Sequence, residues 1–576
     1  MSFETRSDKA TKTAKSPKDR ESDAQQKPAF SRRALLKSGG ALATLAGGAA
    51  LASPTIAHAK DGPLFDAIAV RKRRLEAARL RRQAANAYLV GKLSPQESNG
   101  DDSLYPDRRA SFFKTLPQND LGEVDPAAYD DFLTALDTGR PSDFDAIPLS
   151  PQAVRTLANP QGAYAFEMTG LDGQATRMPP APTFAGATQA AEMGEVYWQA
   201  LTRDVPFVDY GISASIADAV ADLNNFSHTV GPKDNGLVTP STIFRGETPG
   251  DLVGPYISQL LWLDVPYGPT NIVQRYDPPV AGDDFMTDYT EWLAIQRGAA
   301  PSDGITFSGV PSYISNNRAL GEYVRQDFVF QAYFNACLIL LGLGADALAP
   351  SNPYLDIDNQ GPFVTFGAPA IADLVTKAAR VSLTGAWYQK WLVHRRLRPE
   401  VFAARVENQA NGTKDYGINL EILNSAATAN LFAANGNSLL PLAFPEGSPT
   451  HPAYPAGHAT IAGACCTILK AFFDEDFVFP APVQANADGS ALVPWIGSDL
   501  TLGNEIDKLA NNISIGRDAA GVHYRSDGVD GLGVGEEQAL GMLQDYSRTY
   551  NENFDGFTLT RFDGTTVVIR DGKIIQ

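Results

Sequence analysis

The sequence is poor in cysteine. Three cysteines occur among 576 residues, and two of them, Cys465 and Cys466, are neighbours in an apolar run; the third is Cys337. Adjacent cysteines in an apolar, helix-like segment are typical of buried thiols, and so small a number excludes a disulfide framework for a chain of this length. We therefore predict three free, buried cysteines.

Basic residues are fewer than acidic residues. The formal net charge is −18, with 48 Lys and Arg against 66 Asp and Glu. A nucleic-acid partner would require a basic surface, so the balance argues against one. The hydrophobic fraction of 44% is that of an ordinary globular protein.

The first 59 residues differ in composition from the rest. Residues 1–30 are polar and lysine-rich, and Arg32-Arg33 then lead into a mild Ala/Gly/Leu stretch that ends at Ala57-His58-Ala59. This order predicts a disordered leader followed by a twin-arginine export signal, with a mature protein in the periplasm or outside the cell. The apolar stretch is too short and too rich in glycine for a stable membrane anchor. No longer apolar run follows, so we expect no membrane span in the mature protein.

Residues 60–576 are predicted to form a single, mostly helical domain, because no repeat or long linker interrupts them. Helical periodicity dominates four segments: Leu64–Leu93, Asn316–Gly344, Ile371–Leu397 and His458–Glu475. Strand-like alternation is confined to the C-terminal end, where Asp563-Gly564 indicates a hairpin. The predicted fold class is mainly α, a helical bundle with a small C-terminal β-hairpin.

The lysine segment, Lys390–Glu400 (KWLVHRRLRPE), is the first of three segments that carry candidate chemistry. Pro399 disfavours helical geometry at Arg398, so we expect the preceding helix to end there. Arg398 can then turn back toward the side of Lys390. A solvated basic helix end is the common alternative.

The turn segment, His451–Thr460 (HPAYPAGHAT), contains two histidines seven residues apart. An apolar run follows His458 and predicts a helix, which would put His458 and the Gly457 amide at a helix N-terminus. Backbone N–H groups at such a terminus attract anions. A capping turn with a structurally satisfied histidine is the alternative.

The arginine segment, Ile515–Gly528 (IGRDAAGVHYRSDG), places Arg517 six residues before His523 and Asp527 four residues after it. If the segment is helical, Asp527 shares a face with His523 and can orient its ring. The alternative is a helical ion pair without chemistry.

Together the three segments provide a lysine, two arginines, a backbone amide and two or three imidazoles. They provide no acidic ring and no cysteine cluster, which excludes a divalent-metal cage. Guanidinium and ammonium groups match the oxygens of a tetrahedral oxyanion, and the imidazoles remain for covalent or acid–base chemistry. The sequence therefore predicts an oxyanion pocket within residues 380–530.

The three motifs, Lys-x7-Arg-Pro, Pro-x-Gly-His and Arg-x5-His-x3-Asp, resemble the signature of vanadium-dependent haloperoxidases and the related acid phosphatases. Further likeness to algal and cyanobacterial bromoperoxidases lies in Gly254–Gly268, Phe285–Ala299 and Arg318–Gly344. The seven-residue spacing and His451 are similar to the bromoperoxidase branch. The resemblance covers most of residues 60–576.

The resemblance implies vanadate-dependent oxidation of a halide, bromide in the first place, by hydrogen peroxide, with an organic acceptor halogenated afterwards. It implies that His523 binds vanadium, that His458 is the acid–base residue and that His451 supports the halide region. The vanadate oxygens would be bound by Lys390, Arg398, Arg517 and the Gly457 amide.

Ala456 departs from the pattern, because the family usually has serine or threonine there. The missing hydroxyl removes one hydrogen bond to a charged group, worth about 1.5–3 kcal/mol. The missing hydroxyl therefore leaves a degenerate oxyanion-binding homologue open as an alternative. An acid phosphomonoesterase that uses the same pocket, with His523 as its nucleophile, is the other alternative.

A second metal is also implied by the resemblance. Asn352–Phe363 is similar to a calcium-binding loop of algal bromoperoxidases, with Asp358 and Gln360 at ligand positions and Asp356 as a further candidate. Oxygen ligands of this kind suit calcium. Large helical relatives are commonly oligomers, so we also expect a homo-oligomer.

The export signal can be tested apart from the chemistry. Replacing both Arg32 and Arg33 with lysine should leave the precursor in the cytoplasm, because the twin-arginine translocon recognises that pair. Cell fractionation and immunoblotting measure the outcome, and Arg20→Lys in the same leader is the control. Unchanged export of the double variant would mean that another route is used.

Overall fold

The structure, a computed structural model, describes residues 67–91 and 95–575. The predicted leader and export signal, residues 1–59, lie outside the described residues. The architecture is mainly helical with a small C-terminal sheet, as the sequence predicts. No described helix has both the length and the apolar character needed to cross a membrane.

The helices are α1 Ala67–Leu89, α2 Asp101–Leu104, α3 Pro126–Thr138, α4 Pro141–Asp145, α5 Ala187–Leu201, α6 Ala214–Leu223, α7 Tyr289–Gln296, α8 Asn317–Gln326, α9 Gln331–Gly342, α10 Ala368–Tyr388, α11 Pro399–Ala410, α12 Leu420–Leu423, α13 Ala426–Asn435, α14 Gly457–Phe472, α15 Leu502–Ala519 and α16 Arg525–Ser547. Short 3-10 helices cover Pro160–Tyr164, Gly173–Ala175, Phe207–Asp209, Pro249–Leu252, Gln259–Leu261 and Ala345–Ala347. The strands are β1 Val265–Tyr267, β2 Thr270–Ile272, β3 Val483–Ala485, β4 Leu492–Pro494, β5 Phe557–Thr560, β6 Thr566–Arg570 and β7 Lys573–Ile575.

All strand pairing is antiparallel. The predicted hairpin at Asp563-Gly564 joins β5 to β6, with Thr560 opposite Thr566, and β7 adds a third strand to this sheet. The expectation that strands are confined to the C-terminal end is wrong, because β1–β2 and β3–β4 form two further hairpins. Their three-residue strands are too short to produce a readable alternation.

Two predicted helices are interrupted. Asn316–Gly344 divides into α8 and α9, since Asp327 has an extended backbone and ends the first helix. The second, Ile371–Leu397, is α-helical only to Tyr388, continues as a π-helical turn over Gln389–His394, and stops at Arg395 in the left-handed region. Pro399 therefore does not end that helix. It occupies the first position of α11, with Arg398 as the N-cap.

The core around the predicted pocket is built on α14. This helix is buried along nearly its whole length, and it packs against α10, α15 and α16. Cys465 and Cys466 lie on it, and these two and Cys337 are buried and free, which confirms the cysteine prediction. The predicted helix Leu64–Leu93 is represented by α1, whose residues are not buried; residues 64–66 and 92–94 lie outside the described residues.

Glycines allow α14 and α16 to approach closely. A Cβ at Gly535 of α16 would lie 1.9 Å from the carbonyl oxygen of Thr460, and one at Gly463 of α14 would lie 2.1 Å from that of Leu532. Both obstacles are backbone atoms, which cannot move aside without separating the helices. The crossing therefore depends on the absence of side chains at these two positions.

Gly535→Ala should lower the free energy of unfolding by about 1–3 kcal/mol, because the added methyl group overpacks the helix crossing. Gly533→Ala is the matched control: it lies in the same helix, nothing stands within 4 Å of its Cβ position, and alanine should be neutral or stabilising by up to about 1 kcal/mol. Thermal unfolding of both variants measures the difference. Equal midpoints would contradict the role of this close approach.

Candidate active site

His523 lies in the loop between α15 and α16 and is only 1% exposed. Its Nδ1 is 2.8 Å from Oδ2 of Asp527, in the first turn of α16, and the same oxygen accepts a hydrogen bond from the Tyr524 amide. The predicted contact is therefore present, but its predicted cause is wrong: the two residues do not share a helix face, because Asp527 reaches back from the helix start. When Nδ1–H donates to a carboxylate, Nε2 of His523 carries the lone pair and is the atom that can coordinate a metal.

Arg398 connects the three segments that the sequence singled out. Its Nη1 lies 2.9 Å from His523 Nε2 and donates to the Val522 carbonyl at 2.6 Å. Its Nε donates to the His451 carbonyl, and its Nη2 lies 2.9 Å from His451 Nδ1. The N-cap position of Arg398 before α11 directs the side chain into this cluster, as predicted, although Arg398 belongs to the start of a helix and not to the end of one.

Lys390 enters the site from the π-helical turn. Its Nζ donates to the carbonyls of Pro452 and Ala453 at 2.7 and 2.8 Å, which ties it to the turn segment. An ammonium has three donors, so one remains for a bound ligand. Arg517, on α15, donates from Nη1 to the Val324 carbonyl, while its buried Nε has no partner among the described residues. Both side chains thus have an N–H donor that a bound ligand can use.

The site carries positive charge that carboxylates offset only in part, since none of those among the described residues forms a salt bridge with Lys390, Arg398 or Arg517. Burial lowers the pKa of Lys390, of Arg398 to about 9 and of Arg517 to about 10. Burial, followed by the nearby cations, also lowers the pKa of His523 and of His451. The hydrogen bonds of these cations go to backbone carbonyls and imidazole nitrogens, which cannot neutralise them. An anion bound among them would offset part of the desolvation free energy of these buried cations.

The turn segment leads into α14 as predicted, with Gly457 and His458 in the first turn and Ala456 as the N-cap. Ala456 is buried, and no side chain caps the helix. His458 is 19% exposed at its side chain, and its Nε2 lies 3.0 Å from Oδ1 of Asp327. Sequence reasoning missed Asp327. The change from amphipathic to apolar character near it could have located the helix break, but not its partner.

His451 is half-buried beside the same cluster. Its ring lies 4.9 Å, between centroids, from that of Trp387, and its Nδ1 is 3.1 Å from the Pro452 carbonyl in addition to the Arg398 contact. Trp387 is one turn before Lys390, within a segment that the sequence reading treated only as a helix. The structure thus joins His451 to His523 through Arg398 and ties Lys390 to the turn segment that leads to Gly457 and His458. Arg517 lies close enough to contribute to the lowered pKa of His523.

Arg396 is a further neighbour that sequence reasoning missed. Its Nη1 donates to Oδ1 of Asp527, and its Nη2 donates to Glu192 on α5. The spacing from Lys390 pointed to Arg398 and passed over this arginine. Glu192 lies in a distant part of the chain, where no motif marked it.

The predicted calcium ligands Asp356, Asp358 and Gln360 are exposed and lie in the connection between α9 and α10. The described part of the chain contains no group of three or more His, Cys, Asp or Glu side chains arranged to hold a metal ion. Calcium binding stays a prediction.

The hydrogen-bond donors of the pocket match the oxygens of a tetrahedral oxyanion, and the pocket also supplies an imidazole that can coordinate its central atom. The unpartnered Arg517 Nε, the remaining Lys390 donor and the Gly457 amide at a helix N-terminus can bind oxygens. His523 Nε2 supplies the nitrogen ligand. The fold and site together define a helical, oxyanion-binding protein with an imidazole available for coordination.

Comparison with known proteins agrees with this class. The family model described as the VCPO second helical-bundle domain matches residues 374–552. A vanadium-dependent bromoperoxidase of Ascophyllum nodosum is 36% identical over 501 residues, which cover 83% of this chain and 89% of that protein. A vanadium-dependent bromoperoxidase of Corallina pilulifera is 34% identical over 584 residues, covering 84% and 96%.

A solved structure shows the same fold. The homohexameric second vanadate-dependent bromoperoxidase of Ascophyllum nodosum superposes with a TM-score of 0.85 at 29% identity, and the match covers 92% of this chain and 95% of that one. The chain belongs to the vanadium-dependent bromoperoxidase family.

Proposed function

We propose that this protein oxidises halide, bromide in the first place, with hydrogen peroxide and releases hypohalous acid, which halogenates a nearby organic acceptor. The observation that carries the proposal is the buried cluster of Lys390, Arg398 and Arg517 around His523 Nε2. The family relationship supports the same reaction. It favours a peroxidase over the phosphomonoesterase and the inert homologue, since the relatives that match most of the chain are named bromoperoxidases.

The cofactor that fits the pocket is vanadate. His523 would bind it through Nε2, and Lys390, Arg398, Arg517 and the Gly457 amide would bind its oxygens. When bound, vanadate supplies a Lewis-acidic centre that activates peroxide toward halide without changing its own oxidation state. The cations stabilise the negative charge of its oxygens in a pocket from which water is largely excluded.

The protein's own contribution to proton transfer comes from His458. Asp327 holds Nε2 of this ring, so Nδ1 is the nitrogen that can take up and return a proton. Its partial exposure provides a route for protons to solvent. His451 and Trp387 form a half-buried wall beside the cations, and we assign the halide to that side of the pocket.

Three further features belong to the proposal. The homohexameric relative supports assembly of this chain into a homo-oligomer. Arg32-Arg33 and the small residues at 57–59 support export to the periplasm or the medium. Calcium at Asp356, Asp358 and Gln360 is supported only by the resemblance of the loop.

His523→Ala should abolish vanadium retention after desalting, because His523 is the imidazole that meets Arg398 through Nε2 while a carboxylate, that of Asp527, holds its Nδ1. The wild type should retain about one vanadium per chain, measured by elemental analysis of the protein after reconstitution. His228→Ala, which removes an exposed histidine, is the control and should retain vanadium. Full occupancy in His523→Ala would contradict the assignment of the ligand.

Ala456→Ser should tighten vanadate binding about ten- to a hundredfold, since a charge-assisted hydrogen bond is worth about 1.5–3 kcal/mol. Vanadate titration of the metal-free protein, read by bromide-dependent peroxide consumption, measures the midpoint. A serine at this N-cap should also stabilise the metal-free protein by about 1 kcal/mol. Its unfolding midpoint separates the two effects. Equal vanadate midpoints would mean that Ala456 leaves no donor missing.

A further inference from the structure

A buried polar chain runs from α5 to the vanadium ligand. It consists of Glu192, Arg396, Asp527 and His523, each at most 3% exposed. Arg396 Nη2 donates to Glu192 Oε2 at 2.8 Å, Arg396 Nη1 donates to Asp527 Oδ1 at 2.8 Å, and Asp527 Oδ2 lies 2.8 Å from His523 Nδ1. Each link is a charge-assisted hydrogen bond of normal length.

Both oxygens of Asp527 are occupied in this chain. Oδ2 accepts from His523 and from the Tyr524 amide, while Oδ1 accepts from Arg396. A carboxylate bonded on one side only could rotate about its terminal torsion, which is broad and roughly twofold. The arginine on the other oxygen fixes the plane of the carboxylate and, through it, the plane of the imidazole.

Arg396 is itself immobilised. Besides Glu192, it donates to Gln189 Oε1 at 2.6 Å and to Ser526 Oγ at 2.8 Å, and its guanidinium lies 4.1 Å from the ring centroid of Tyr524. A guanidinium presents its donors in a rigid, planar fork, so these contacts set its orientation.

Glu192 connects α5 both to Arg396 and to the first turn of α16. It accepts hydrogen bonds from the amide of Ser526 at 2.8 Å and from its hydroxyl at 3.0 Å, in the first turn of α16, as well as from Arg396. Its helix, α5, lies outside residues 374–552, which the family model matches. The orientation of the vanadium ligand is therefore supported from a part of the chain that contributes no predicted ligand.

We propose that Arg396, held by Glu192, is a positioning residue that fixes the orientation and tautomer of His523 for vanadate. This inference rests on the proposed function. Partners that orient a metal-bound histidine typically contribute ten- to a hundredfold to metal affinity. Arg396 is not among the residues assigned to the vanadate oxygens or to the halide, and its side-chain partners are protein groups, so its effect should appear in cofactor affinity.

Arg396→Met tests the proposal, with Arg395→Met as the matched control. Arg395 is the preceding residue and forms an ion pair with Asp102 at 2.9 Å, away from Asp527. Equilibrium dialysis of the metal-free variants against orthovanadate gives the dissociation constant. We expect it to rise about ten- to a hundredfold in Arg396→Met and less than about threefold in Arg395→Met. At saturating vanadate, the bromide KM of Arg396→Met should equal that of the wild type.

Conservative variants separate positioning from folding. Arg396→Lys keeps the charge but loses the fork, so its dissociation constant should lie between those of the wild type and Arg396→Met. If Arg396→Met does not fold, Glu192→Gln gives a milder test, since the amide keeps the shape of the carboxylate but weakens its hold on Arg396. It should also raise the dissociation constant.

The results of these experiments distinguish a failure of the Arg396 proposal from a failure of the proposed function. An unchanged dissociation constant in folded Arg396→Met or Glu192→Gln, or equal losses in Arg395→Met and Arg396→Met, would overturn the inference alone. Vanadate binding by the wild type without bromide oxidation would overturn the proposed function alone. A wild type that binds no vanadate would overturn both.

Discussion

The burial of three cations around one imidazole is the constraint on which the rest of this structure depends. Lys390, Arg398 and Arg517 are withdrawn from water without a carboxylate of their own, and burial lowers the pKa of each. Such an arrangement persists only if many other contacts hold it. Backbone carbonyls of the turn segment and of the loop before α16 accept from Lys390 and Arg398, and thereby supply part of that support.

The helical core supplies the remainder. Close packing of α14 against α16 brings the Gly457 amide and the loop that carries His523 to one end of the helix pair. The packing is direct: the Ala456 amide donates to the carbonyl of Asp527 at 2.7 Å. The starts of α14 and α16 are therefore coupled, and Gly463 and Gly535 matter to the site although neither belongs to it.

The carboxylates of Asp527 and Asp327 contact the two histidines directly, and among the described residues no carboxylate forms a salt bridge with Lys390, Arg398 or Arg517. Asp527 contacts Nδ1 of His523, which leaves Nε2 for the proposed coordination, while Asp327 contacts Nε2 of His458, which leaves Nδ1 for the proposed proton transfer. Two imidazoles in one pocket thus receive different roles from the nitrogen that each has committed. Ala456, the N-cap of α14, contributes no side-chain donor to the pocket.

The sequence by itself determined the fold class, the free cysteines and the composition of the pocket, because helical periodicity, the hairpin dipeptide and the spacing of basic residues are local properties. The placement of His458 at a helix N-terminus was equally local, since Pro455 and Gly457 precede an apolar helical run. Only the tertiary structure decided which partners complete the site. Asp327, Glu192 and Arg396 contact the predicted residues across long sequence separations. A single buried hydrogen bond between two distant segments produces no periodic pattern in the sequence of either segment. The same reason accounts for the helix breaks at Asp327 and Arg395, where contacts with distant segments overrode the local preference for a continuous helix.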